Sequence, residues 1–235
     1  ASTHDNILFF TTRGRVFAKK GYTIPEAGRN ARGTNIVNIL PFETDGEETE
    51  GISAMIAGRG YDEERYLFFV TRNGTIKRSN QSALKNIRRN GIRAMRLEEG
   101  DELVAVFPTD GAEEILIATR KGRAIRFPEN TLRVLSRNAT GVRGIRLRDG
   151  DEVVGAGSSG EGGYVLSITE NGFGKRTPFE SYRITARGGV GVQSHRLSEK
   201  TGEVTSIQNR IQQSFQEDIE KIQTEIMEIQ SRHSA

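Results

Sequence analysis

Residues 137–152 read RNATGVRGIRLRDGDE: a basic loop holding two glycines, an apolar alternation, then an abrupt acidic turn. Residues 88–102, RRNGIRAMRLEEGDE, keep the same rhythm. Recurrence with the charge order intact marks an internal repeat, and a repeat decides architecture before any single element does. Working outward, the strings TTRGRVFAKK (11–20), TRNGTIKRSN (71–80), TRKGRAIRFP (119–128) and TENGFGKRTP (169–178) share one pattern. Each follows a β-type apolar run: ILFF at 7–10, YLFFV at 66–70, EILIA at 114–118 and YVLSI at 164–168. Each centres on a turn glycine (Gly14, Gly74, Gly122, Gly172). A second glycine (Gly33, Gly91, Gly141, Gly191) follows 19 residues later in three units and 17 later in the second.

After the second glycine come apolar segments (TNIVNIL, IRAMRL, VRGIRL, VQSHRL), an acidic or glycine turn, and a short strand (ISAMIA, ELVAVF, EVVGAG, EVTSI). Each unit therefore predicts strand, tight turn, strand, long basic loop, strand, acidic turn, strand. Four antiparallel strands in about 50 residues is the size of a propeller blade. One such sheet cannot bury both faces, so blades must pack on their neighbours. The predicted fold is all-β, a propeller-like disc of four-stranded antiparallel blades with about four units seen, over residues 1–206. Unrelated hairpins in a sandwich would not hold the glycine spacing so nearly constant.

The net charge is only +3, but its distribution is uneven. Basic residues gather in the loops: Arg13, Arg15, Lys19, Lys20, Arg29 and Arg32 in the first unit, against Glu26 alone. The second carries Arg72, Lys77, Arg78, Lys85, Arg88, Arg89, Arg93 and Arg96 with no acid between them. The third carries Arg120, Lys121, Arg123, Arg126, Arg133, Arg137 and Arg143, running on to Arg146 and Arg148, against Glu129. The fourth is thinner, with Lys175, Arg176, Arg183 and Arg187. Acids gather in the turns, at 43–64 and 98–114. Around an axis, equivalent positions share a height and radius, so the basic loops form one band and the acidic turns another. A polyanion that follows such a band, duplex DNA first among them, would exchange its condensed counterions for arginine and lysine. With no base-reading helix, backbone contact and bending are expected rather than direct readout. The acidic turns are expected to keep the other rim from competing for the polymer.

Other chemistries find little support. The chain has no cysteine, which removes disulfides, thiol nucleophiles and thiolate metal sites. No apolar run nears the roughly 18 residues of a membrane span, and ASTHDNILFF lacks the regions of a signal peptide, so a cytoplasmic location is expected. His4, His195 and His233 lie in different units without a ligand partner one helical turn away, and no phosphate-binding loop of the G-x-x-x-x-G-K-[ST] type appears. The expectation is no metal, no cofactor and no catalysis in this chain.

Residues 207–235 break the repeat. Ile207, Ile211, Phe215, Ile219, Ile222, Ile226 and Ile229 recur at three or four residues, which predicts a C-terminal amphipathic helix. It either docks on the disc or pairs with a partner, through a coiled coil or a protein contact.

The strings SRNATGVRGIRL, ENGFGKRTPFESY, TTRGRVFAKKGYTIPEAGRNARGTNIVNILP and RNGTIKR closely resemble the C-terminal domain of the A-type subunit of DNA gyrase, over roughly residues 4–206. The corresponding topoisomerase IV domain is a more distant relative. The resemblance implies a β-pinwheel, in which adjacent blades exchange a strand and a basic rim wraps duplex DNA. It implies service to ATP-dependent negative supercoiling in the bacterial cytoplasm, at the nucleoid. ATP and magnesium would act elsewhere in the enzyme, and the protein partners would be the remaining domains of the gyrase A protein and the gyrase B protein. The family's hallmark heptapeptide, Q-R-R-G-G-K-G, is missing; the nearest strings are ARGGVG at 186–191 and AGRNARG at 27–33. The match is expected to start at the family's second blade, and family members have five or six blades against the four units counted here. The competing reading is a protein-interaction propeller whose acidic turns and helix make the contacts.

Overall fold

The computed structural model describes residues 2–28, 30–42, 50–58 and 64–208. Unit 1 supplies β1 (Asn6–Thr11), β2 (Arg15–Lys20) and β3 (Ile52–Gly58). Unit 2 supplies β4 (Tyr66–Thr71), β5 (Thr75–Asn80), β6 (Ile92–Arg93) and β7 (Leu103–Thr109). Unit 3 follows with β8 (Glu114–Thr119), β9 (Arg123–Pro128), β10 (Val142–Arg143) and β11 (Val153–Ser158). Unit 4 has β12 (Tyr164–Thr169), β13 (Gly174–Pro178), β14 (Val192–Gln193) and β15 (Val204–Gln208). The first two strands of every unit form the expected hairpin. In three units a threonine ending the first strand closes the turn. The hydroxyls of Thr11, Thr71 and Thr119 accept from the N–H groups of Arg15, Thr75 and Arg123 at 3.1, 3.1 and 3.2 Å.

The third strand departs from the repeat as read within one unit. The sheets run β3-β1-β2-β6, β10-β5-β4-β7, β11-β8-β9-β14 and β13-β12-β15. Each of the first three sheets thus takes its outer strand from the next unit. The crossing strands are two residues long, and the first-turn glycine carbonyl of the preceding unit extends each pairing. Gly14 O accepts from Ala94 and Met95 N–H, Gly74 O from Gly144 and Ile145, and Gly122 O from Ser194 and His195. One inward side chain anchors each crossing: Met95, Ile145 and His195, all buried.

The two ends of the array show what the exchange supplies. In unit 1 the expected strand TNIVNIL is instead a 3-10 turn at Ile36–Asn38, whose first turn is capped by the Asn35 side chain accepting from Val37 N–H at 3.3 Å. Val37, which occupies the anchor position by its offset from Gly33, is 46% exposed. At the other end, β13 has no outer neighbour among the described residues and is largely exposed.

The core lies between sheets rather than within them. Phe10 meets Phe69 edge-on across units 1 and 2, with centroids 5.8 Å apart, and Phe68 contacts Phe127 across units 2 and 3 at 6.5 Å. Each buried phenylalanine contributes about 1.5–3 kcal/mol of transfer free energy, so neighbouring blades stabilise one another. Strands β3, β7, β11 and β15 pack in succession, each against the next. Among the described residues no helix is long and apolar enough to cross a membrane. Ile207 and Gln208, placed by periodicity at the head of the C-terminal helix, are the last residues of β15. The rest of that predicted helix lies outside the described residues.

Candidate nucleic-acid interface

The exchanged strand and the residues just after it sort their side chains by position. Two places after the second glycine stand Arg93, Arg143 and Gln193, and five places after it stand Arg96, Arg146 and Arg196; all six are exposed. The two residues between each pair turn inward and hold the crossing. The next unit's loop then closes over the strand: Arg137 Nη1 donates to Arg93 O, and Arg187 Nη1 to Arg143 O, both at 3.1 Å. Guanidinium groups are thereby presented at equivalent positions at each blade junction. Arg96 and Arg146 were counted in the expected basic stretches without a role at a fixed position, and Arg196 was not counted. Their signal was the constant offset of five from the glycine, which a simple tally of basic loops does not use.

Of the expected contacts, Lys20, Arg32, Lys85, Arg88, Arg89, Arg93, Arg133, Arg143, Lys175, Arg176, Arg183 and Arg187 are exposed. Arg13, Arg15, Lys19, Arg123 and Arg137 are half-buried. Arg123 is spread over the next unit's loop, its Nε donating to Val190 O at 2.7 Å and its Nη2 to Gly191 O at 2.5 Å. Arg29 lies outside the described residues.

Three expected contacts belong instead to the interior. Lys77 is fully buried; its ammonium donates to Ala94 O and to Arg137 O and sits 4.7 Å from the centre of the Phe69 ring. Burial, and secondarily the charge of Arg137, lower its pKa to about 7. Arg78 is 8% exposed, donates to Leu132 O at 2.6 Å, and lies 3.7 Å from the fully buried Glu129. Arg126 is paired with Glu114 and donates to Phe179 O and Tyr182 O of the next unit. All three are cations that bind blade to blade. They alternate into packed space because both faces of β5 and β9 are covered.

The separation into two charge bands is also less clean than the sequence suggests. Arg72 pairs with Glu102 at 3.2 Å, Arg120 with Glu152 at 2.5 Å, and Lys121 Nζ donates to Asp149 O at 2.5 Å. These three cations lie against the acidic turns, at the tips of the first hairpins. The acids there do structural work. Asp151 accepts from Thr119 Oγ1 and from the N–H groups of Lys121 and Glu152, and Asp101 likewise accepts from Asn73 and Glu102.

The family model described as the DNA gyrase C-terminal domain, beta-propeller, matches residues 5–52, 65–110, 113–159 and 163–209. The chain belongs to this family. Each matched segment falls on one of the four units, the first ending where β3 begins. The gyrase A protein of Halalkalibacterium halodurans is 47% identical over 139 residues, and that of Clostridium acetobutylicum 49% over 138. Each of these matches covers 59% of this chain and 16% of the relative, so the alignment spans about one-sixth of those proteins. Two solved structures share the β-pinwheel architecture. The C-terminal domain of DNA topoisomerase IV superposes with a TM-score of 0.76 at 26% identity, over 88% of this chain and 64% of its own. The DNA gyrase A C-terminal domain superposes at 0.72 and 25%, over 87% and 65%.

Proposed function

We propose that this domain binds and bends duplex DNA without sequence preference, as the accessory C-terminal module of a gyrase A protein. The observation that carries the reading is the recurrence of exposed arginines at fixed offsets from the second glycine, in and just after successive exchanged strands: Arg93 with Arg96, then Arg143 with Arg146, then Arg196. Duplex DNA offers phosphates along a path, and a curved row of blades meets successive phosphates with arginines at recurring positions. Bending a duplex by 40–90° costs of order 1–6 kcal/mol, which contacts repeated over several junctions offset. The chemistry of strand cleavage and the use of ATP belong to other parts of the enzyme. The bent duplex supports negative supercoiling there, in the bacterial cytoplasm, with the remaining domains of the gyrase A protein and the gyrase B protein as partners.

The reading is tested by duplex affinity across a salt series. It predicts that log K falls linearly with log salt, at a slope of about −0.9 for each phosphate neutralised, and that several phosphates are involved. Weak binding with a shallow slope would turn the search to protein partners of the acidic turns and of residues 209–235.

A further inference from the structure

Where units 1 and 2 meet, an open concavity of about 570 Å³ is walled by Arg15, Arg88, Arg89, Asn90, Gly91 and Arg93. Two elements assemble it. Arg15 opens β2, and Arg93 lies directly opposite it on the exchanged strand β6. Arg88 and Arg89 come from the loop that delivers that strand, and both are exposed.

Like charges directly opposite each other on paired strands are destabilising. The other junctions avoid the pairing: Arg143 stands opposite Thr75, and Arg123 opposite Gln193. Here four arginines line one hollow, and none of its described lining residues is acidic. Behind Arg15, the buried Glu50 pairs with it at 3.6 Å. Arg15 is also held in place. Its Nη2 donates to Asn90 O at 2.6 Å and its guanidinium lies 5.0 Å from the centre of the Phe17 ring, so little freedom is lost when an anion arrives.

We propose that this concavity is a phosphodiester seat shared by units 1 and 2, the point at which the duplex backbone is held most tightly on these blades. Arginine's planar fork matches a phosphate's oxygens two at a time, and a hollow with arginines on several sides suits a ligand carrying oxygens on several sides. The assignment rests on the DNA reading above and adds a location to it.

The test compares two double variants of the full chain, each losing two positive charges. Arg88→Ala with Arg89→Ala empties the seat, while Arg65→Ala with Lys200→Ala removes exposed charges elsewhere. Thermal unfolding of both checks that the fold survives. Binding to a fluorescent duplex of about 30 base pairs is then followed across salt. The seat variant is expected to lose at least tenfold in affinity and to flatten the salt slope by about 2, while the control loses less than threefold. Equal losses in the two would overturn the seat and leave the DNA reading standing. Absence of salt-dependent binding by the unaltered chain would overturn both. A further arm titrates inorganic phosphate. Saturation well below millimolar, blocking the duplex, would reassign the hollow to a small free phosphate; no such saturation supports the duplex backbone as its ligand.

Discussion

The carbonyl oxygen of His195 lies over Gly122 so closely that a Cβ on that glycine would meet it at 2.4 Å. Gly14 and Gly74 are approached in the same way, by Met95 and Ile145. Gly172, at the same place in unit 4, has nothing within 4 Å of such a Cβ among the described residues. The turn glycines thus have two uses, a left-handed backbone angle and clearance for the crossing strand, and the fourth shows only the first.

That difference predicts unequal costs for one substitution. Gly172→Ala carries only the backbone penalty, about 1 kcal/mol. Gly122→Ala carries that penalty and also dislodges the strand holding units 3 and 4 together, for a total of about 3 kcal/mol or more. Urea unfolding of both variants measures the difference, and equal losses would contradict the exchange.

Lys77 predicts a pH dependence. Its folded pKa, about 7, lies below the ordinary lysine value of 10.5. Between those values the unfolded chain binds more protons than the folded one, so stability rises with pH. The destabilisation is fully present below pH 7 and is relieved as the pH approaches 10.5. Unfolding free energy measured from pH 7 to 10 should climb, and Lys77→Met should flatten that climb.

Glu129 and Arg78 form a buried pair, and Glu129 also accepts from Thr109 Oγ1 at 2.7 Å and from Gly111 N–H at 2.8 Å. Removing one partner leaves an uncompensated charge, at about 3–5 kcal/mol. Arg78→Ala should therefore lower stability by that order, while the salt slope of DNA binding in the folded protein stays unchanged. A flatter slope would return Arg78 to the interface.

The acidic turns divide in the same way. Asp151→Ala should destabilise by about 1–3 kcal/mol, because three donors lose their acceptor. Glu98→Gln with Glu99→Gln touches only exposed side chains and should leave stability within about 0.5 kcal/mol. It should raise weak, non-specific DNA binding. Thermal unfolding and a duplex titration check both halves.

Much of this architecture is written in the sequence. The two glycines at near-constant spacing mark the unit, the hairpin and the number of sheets. The exchange of strands was not visible in the pattern itself, because β6, β10 and β14 are two residues long and alternation does not say which sheet a strand joins. Only the family resemblance implied it. The basic band was legible as a region, but its members were not. Lys77 and Arg78 sit in β5, where four consecutive residues are buried, so the period of two that separates core from surface is lost. Arg96, Arg146 and Arg196 were legible in principle, once the count starts from the second glycine rather than from the basic loop.

The central claim is that these blades bend DNA along their junctions. The most direct measurement is the end-to-end distance of a duplex of about 60 base pairs, labelled for energy transfer at both ends and titrated with the protein. Free duplex of that length is nearly straight, since the persistence length is about 150 base pairs. Binding is predicted to bring the ends together, with a smaller approach when Arg93→Ala and Arg143→Ala are combined. Saturated binding that leaves the end-to-end distance unchanged would contradict the account.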